Sequence, residues 1–478
     1  MKNVIVPLLA TIFLFSACAS KTPKVELADN LVEQEKISEQ EKSETKSEVK
    51  DIQEKWWEIF NDETLNSLEE EAIKYNYDLK KAMSRMRQSK AKLAVARSYY
   101  FPLIDVFGEM ADSKTNKVLR DNGVRTNKFT VGLMASYEIN LWGAYFKNAK
   151  SAKKDFLASK VDKDAVKLML TAQVAQTYFT VLALNDQYNI AKETLKIRED
   201  SYNVYDSRFK KGVINELDLR RVEAEMESVR AQVYEIDAQL KVAQSSLNVL
   251  VGKTPKFIVQ NTLEPKTKIE DISANICLPQ NIPSDLLTKR PDIKAIEYKL
   301  ESVSASASSV KAEMFPKISL TGMTGFASQE LEDLFKKDKD GNYRDTWNYS
   351  GKISMPLFYG GRKIKNYKVA KEQYEEMTQE YLGTIQTAFK ETLDAINNVE
   401  ISKQTIIAYK KQESALSKSF VLAQKRQKAG IADLLDVLDV QRMWLQAQMN
   451  LVNARKSQLV YIVDVCKSLG GGWKEEKL

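Results

Sequence analysis

Histidine is absent from this chain of 478 residues. That single absence excludes Ser/His/Asp and Cys/His catalysis, His-rich metal sites and His-based pH switching. Cysteine is nearly absent too, with three in all, and only Cys277 and Cys466 lie beyond the first eighteen residues. Two thiols make no disulfide framework; they read as buried free thiols, with pairing in an oxidising compartment as the alternative. Glycine (17) and proline (10) are scarce, which favours long uninterrupted elements. An excess of one charge is also missing, since 72 basic residues face 65 acidic ones, for a net charge of +7. The two signs alternate along helical stretches instead of clustering with aromatics, which argues against a nucleic-acid partner. A hydrophobic content of 43% is ample for a large core.

What is present is a repetition. Arg208, Lys210, Gly212, Leu217 and Asp218 recur as Arg426, Lys428, Gly430, Leu435 and Asp436, at a constant offset of 218 residues. Gly143, Lys147 and Asn148 recur at the same offset as Gly361, Lys365 and Asn366, and Gly252 recurs as Gly470. A duplication of this length means two copies of one architectural unit.

Residues 1–17 carry Lys2, an apolar run from Val4 to Phe15, and the small residues Ser16 and Ala17 before Cys18. This is an export signal, too short to remain as a spanning helix. Cys18 directly after small residues resembles the bacterial lipoprotein processing box, although Phe15 stands where the box usually has leucine. By that resemblance Cys18 becomes the acylated first residue, and Ala19 after it favours sorting to the outer membrane. One acyl chain anchors weakly, so a second membrane attachment is expected elsewhere. Residues 18–55, rich in Glu, Lys and Ser, read as a flexible tether.

Each repeat then shows the same order of elements. In the first (56–284), helical composition from Thr64 to about Tyr100 stops at Pro102, and strands follow at about 103–112 and 126–141. Phe129, Val131, Leu133, Ala135, Tyr137, Ile139 and Leu141 alternate there with Lys128, Thr130, Ser136, Glu138 and Asn140, the two-residue period of a strand. A long helix at about 143–211, a return helix at about 213–251 and a segment at 253–284 complete the copy. In the second (285–478), strands at about 316–327 and 346–357 precede a helix at about 361–429, interrupted in pattern only by Gly383. A return helix at about 433–468 and a tail at 470–478 follow. Seams with alternating spacings of three and four, Thr171, Val174, Tyr178 and Val181, then Phe389, Thr392, Ile396 and Val399, mark helix packing.

Four amphipathic strands on an exported chain match the roughly ten-residue segments of outer-membrane barrels. Four cannot close a barrel, since the smallest bacterial ones need about eight, and lipid tolerates no open edge. The chain must therefore assemble, and strand arithmetic alone allows a dimer or a trimer.

Three stretches together resemble the TolC-like outer-membrane efflux proteins, specifically the lipoprotein branch that serves resistance-nodulation-division (RND) pumps. They are Trp56, Trp57, Phe60, Asp62 and Leu65 running to Asn76, Asp78 and Leu79; Leu286, Leu287, Arg290, Pro291, Asp292, Ile293 and Glu297 running to Phe315–Gly322; and Leu469, Gly470, Gly471, Gly472 and Trp473. The resemblance implies a mainly α fold with a membrane β-barrel part. It implies a homotrimer with four strands per chain in a shared 12-stranded barrel, a long α-helical periplasmic barrel, and a mixed belt from segments near 50–62, 253–284 and 470–478. It implies no catalysis and no cofactor: the partners are outer-membrane lipid, a periplasmic adaptor protein and an inner-membrane RND pump, and the product is a passive duct for small toxic compounds or drugs. Within transport the alternatives are type I protein secretion or metal efflux, the latter weakened by the lack of histidine though 13 methionines leave copper or silver open. A coiled-coil envelope scaffold is the alternative of another class.

The helix tips carry the candidate working residues. By match to the family's second tip motif, Asp436 and Asp439 form a carboxylate constriction at the periplasmic gate, with Leu435 as an apolar ring. Asp218 in the first tip is the candidate latch. Some relatives place a latch arginine two residues after the tip glycine, where this chain has Ala432, and Arg208, Arg426 and Lys428 are the candidates to substitute for it. Gly212 with Val213 and Gly430 with Ile431 mark the turns that reverse the long helices, and the resemblance adds adaptor docking to that structural role. The export reading makes one direct prediction: labelled palmitate is incorporated by the wild type and lost in Cys18→Ser, and label retained by that variant contradicts the assignment.

Overall fold

A computed structural model describes residues 54–114, 125–260, 267–272, 274, 289–338, 340–431 and 433–475. Cys18 and Cys277 lie outside the described residues. In chain order the elements are α1 (Glu63–Tyr75), α2 (Tyr77–Ser98), β1 (Leu103–Lys114), β2 (Arg125–Ile139), α3 (Ala144–Lys210), α4 (Glu216–Leu250), α5 (Pro255–Gln260), α6 (Pro291–Ala312), β3 (Lys317–Ser328), β4 (Asp345–Ser354), α7 (Arg362–Lys428) and α8 (Leu434–Ser468). The 67 residues of α3, and equally of α7, make a rod on the order of 100 Å long. Helix α7 runs through Gly383 without a break.

The helical composition from Thr64 to Tyr100 resolves into two helices because Asn76 caps the second. Its Oδ1 accepts from the Asp78 and Leu79 amides at 2.8 and 3.0 Å, while its Nδ2 donates to Leu250 O.

The chain divides into two units. One, over Lys92–Lys154 and Leu300–Met377, contains a four-stranded antiparallel sheet in the order β1-β2-β3-β4. The two repeats therefore join edge to edge, β2 against β3. On one face Val106 lies opposite Leu133, Leu133 opposite Thr324, and Thr324 opposite Trp347, a row apolar but for the threonine, with Ile139, Ile318 and Ile353 forming another row. The opposite face aligns Glu138 with Ser319 and Ser319 with Lys352, and Thr321 shares a hydroxyl hydrogen bond of 2.7 Å with Ser350. Ile104, Val106, Met110, Trp347, Tyr349 and Ile353 on the apolar face are all exposed. The sheet is thus amphipathic from edge to edge, with no packed layer on its apolar side among the described residues. Gly132 sits opposite Gly325, and a Cβ on either would collide with the partner backbone, so β2 and β3 need both glycines to approach. At the base, the Trp142 indole stacks on Phe315 and donates to Pro316 O at 2.7 Å, fixing the end of β2 to the start of β3.

The other unit, over residues 54–91, 155–299 and 378–478, is helical. Its core gathers Trp56, Phe60, Leu65, Tyr178, Phe179, Leu182, Leu247, Val463 and Val465. The seam residues Thr171, Val174, Tyr178 and Val181 are all buried in it. Tyr178 donates to Asp62, the N-cap of α1, at 2.8 Å, and Trp56 to Thr171 at 3.3 Å. The three tail glycines adopt positive φ, so that α8 ends and Trp473 returns to donate to Asp164. Arg290 ties the start of α6 to α7, donating to both Asp292 oxygens and to Glu391 at 2.8 Å. Cys466 is buried and free, and burial pushes its thiol up to about 12.

Glu69 is the exception in this core. It is fully buried, neither carboxyl oxygen finds a partner, and burial raises its pKa well above the ordinary value. The folded chain therefore holds a proton that the unfolded chain releases, and stability falls as pH rises above the ordinary glutamate range. Glu69→Leu is predicted to raise the thermal midpoint at about pH 8, with the gain shrinking toward about pH 4. Melting curves by circular dichroism across that range check it; a difference independent of pH contradicts it.

Candidate gate at the helix tips

The two tips are built alike because the duplicated residues serve the same backbone need. Gly212 has φ +69° and Gly430 +72°, left-handed positions that close α3 and α7. Val213 N donates to Arg208 O and Ile431 N to Arg426 O, both at 2.9 Å, which satisfies the last carbonyls of each long helix. Val213 and Ile431 are left exposed at the apex of each turn. Asn215 then caps α4, its Oδ1 accepting from Asp218 N at 2.9 Å, and Asp433 caps α8, accepting from Leu434 N at 2.6 Å. Asp218 and Asp436 thus both sit in the first turn of a helix, where the macrodipole favours a carboxylate.

On α8 the first turns have two faces. Leu434 and Leu438 pack into an apolar cluster with Tyr205, Leu219, Val222, Tyr202 and Ile214. Leu435, Asp436 and Asp439 are exposed, and Asp439 lies one turn after both of the others. Asp439 accepts from Arg442 at 3.0 Å. The structure therefore groups Leu435, Asp436 and Asp439 on one open face, while Asp218 is half-buried on the other tip.

Asp218 acts instead through its charge on Tyr205, a residue that the sequence patterns do not single out. The Tyr205 hydroxyl accepts from Gln427 Nε2 at 2.9 Å, and the Arg208 guanidinium lies over its ring at 5.6 Å. Burial pushes the phenol pKa up, Arg208 opposes that, and the Asp433 and Asp218 carboxylates reinforce it. One aromatic on α3 thus gathers groups from both tips and from α7. The signal for it is a break in the repeat, since the duplicate position holds Ala423. Of the candidate latch cations, Arg208 joins this cluster, Arg426 and Lys428 stay exposed, and Ala432 lies outside the described residues.

Among the described residues no cluster fit for a metal ion is present, and no helix is long and apolar enough to cross a membrane. The profile of the outer membrane efflux protein family matches residues 68–253 and 282–471, one segment per repeat. The chain belongs to the outer membrane efflux protein family. It is 28% identical to the cation efflux system protein CusC of Escherichia coli over 88% of each chain. It is 27% identical to the probable outer membrane lipoprotein SilC of Salmonella typhimurium over 98% of each. The Campylobacter jejuni CmeC outer membrane channel has the same fold, with a TM-score of 0.84, 29% identity and 91% of each chain covered. The fold is TolC-like, mostly helical with a small four-stranded sheet, and this efflux channel is a component of the outer membrane, not an enzyme.

Removing the Tyr205 hydroxyl takes away the acceptor of the half-buried Gln427 amide, a destabilisation of about 0.5–1.5 kcal/mol. Tyr205→Phe is therefore predicted to speed amide hydrogen exchange at the ends of α7 and α8 while leaving the Trp56 core unchanged. Equal protection at both places contradicts the tip assignment.

Proposed function

We propose that three copies of the chain form a conduit that carries small toxic solutes from a periplasmic adaptor and an inner-membrane RND pump to the exterior. The observation that carries this reading is the sheet: apolar on one face, polar on the other, with β1 and β4 each pairing on one side only. Such a sheet satisfies its backbone in lipid only by joining copies of itself. Three copies bring the strand number into the barrel range, and the family membership supports the same assembly. Cys18 supplies an acyl anchor beside the barrel, and residues 18–55 the tether to it.

In this reading symmetry repeats the open face of α8 around the pore axis. Asp436 and Asp439 make stacked carboxylate rings that narrow the duct and favour cations, and Leu435 adds an apolar ring. Asp218, through Tyr205 and Gln427, helps hold the first tip against α7 when the duct is idle. Gly212 with Val213 and Gly430 with Ile431 present the apices to the adaptor. Substrate selection lies upstream, in the pump. Organic toxins are the first reading; metal cations are the second, favoured by the likeness to a cation efflux protein.

Planar-bilayer recording tests the conduit. Wild type is predicted to give small, cation-selective currents, and Asp436→Ala with Asp439→Ala larger and less selective ones. Absence of open-pore current from both proteins sinks the proposal.

A further inference from the structure

Arg198 on α3 is 1% exposed, yet it is poorly paired. Its Nη2 donates to Leu438 O on α8 at 3.3 Å, a long bond for this donor, and the Glu225 carboxylate on α4 is 3.7 Å away. Nε and Nη1 have no acceptor. Arg442, engaged with Asp439, adds like-charge repulsion, while burial itself disfavours the charged guanidinium. A buried cation is stable only when it is both paired and hydrogen-bonded, and this one is neither fully.

Its location gives the defect a consequence. Leu438 lies between Asp436 and Asp439, so the long hydrogen bond to its carbonyl bears directly on the turn that carries the carboxylates. The fold does not require an arginine here. At the duplicate position the second repeat has Leu416, and opposite Glu225 it has Met443. The same architectural position is apolar in one copy and charged in the copy that packs against the gate turn.

We propose that Arg198 is a positioning residue of the gate: an under-paired buried cation that seats the first turns of α8 loosely on α3 and biases them toward release. Swinging α8 away hydrates the guanidinium, and that hydration offsets part of the penalty for exposing the Leu438 side chain to water. Glu225 limits the bias by partial neutralisation. The inference rests on reading that turn of α8 as the gate.

The test is single-channel recording of the full assembled protein in planar bilayers, with thermal melting to verify folding. Arg198→Leu, which copies the second repeat, is predicted to reduce spontaneous opening by roughly fivefold or more, the factor carried by about 1 kcal/mol. Arg198→Lys keeps a buried charge and is predicted to open at least as often as wild type. Glu225→Gln is predicted to increase opening by a similar factor, and the double variant Arg198→Leu with Glu225→Gln to match Arg198→Leu alone. Increased opening in Arg198→Leu, or independent effects at the two positions, overturns the proposal. The Asp436→Ala with Asp439→Ala protein separates the two levels of argument. If it alters conductance while Arg198 and Glu225 variants gate normally, the proposal fails and the gate reading stands. If it leaves conductance unaltered, the gate reading fails and the proposal with it.

Discussion

Backbone hydrogen bonding is the constraint on which the rest of this protein depends. A sheet that faces lipid has no water to satisfy its edge N–H and C=O groups, so it must close or be covered. The described residues of each chain supply four strands and two edges, too few to close by themselves. The duplicated sequence is the economical answer. One strand pair per repeat, joined at β2 and β3 through the Gly132–Gly325 approach, doubles the chain's contribution without a second gene product.

The same duplication sets the helical architecture. Each repeat pairs one 67-residue helix with one of 35 residues, reversed at a positive-φ glycine and closed by matching hydrogen bonds. Where the repeats agree, the residues serve the backbone: glycines at turns, capping residues after them, a carboxylate in the first helical turn. Where they diverge, the differences include residues at the proposed gate. Tyr205 against Ala423, Arg198 against Leu416 and Arg221 against Asp439 are all differences between copies, and they lie on or beside the helix tips that carry the proposed gate.

Much of the fold is legible in the sequence because it rests on periodicity. The two-residue alternation around Phe129–Ile139 and the seam at Thr171–Val181 are local patterns, and the register and burial give them their meaning. The strand order is not legible, since nothing local says that β2 pairs with β3 across 178 residues, as Ile139 does with Ile318 in closing the sheet. The break between α1 and α2 is visible only as a motif, because the Asn76 cap is completed by Leu250 from another helix. At the tip the glycines and acids can be read, whereas Tyr205 and Arg198 cannot. Their parts come from packing against α4 across the tip turn and against α7 and α8, which lie far along the chain. Comparing the repeats position by position exposes such residues, and absence of similarity is the informative signal there.

The central claim is that the sheet closes by self-association in the membrane. Counting chains in particles extracted from outer membranes, by native mass spectrometry in a mild detergent, tests it most directly. The account predicts three chains per particle and no stable smaller species. A population of single chains that retains the strand signal in circular dichroism would contradict it.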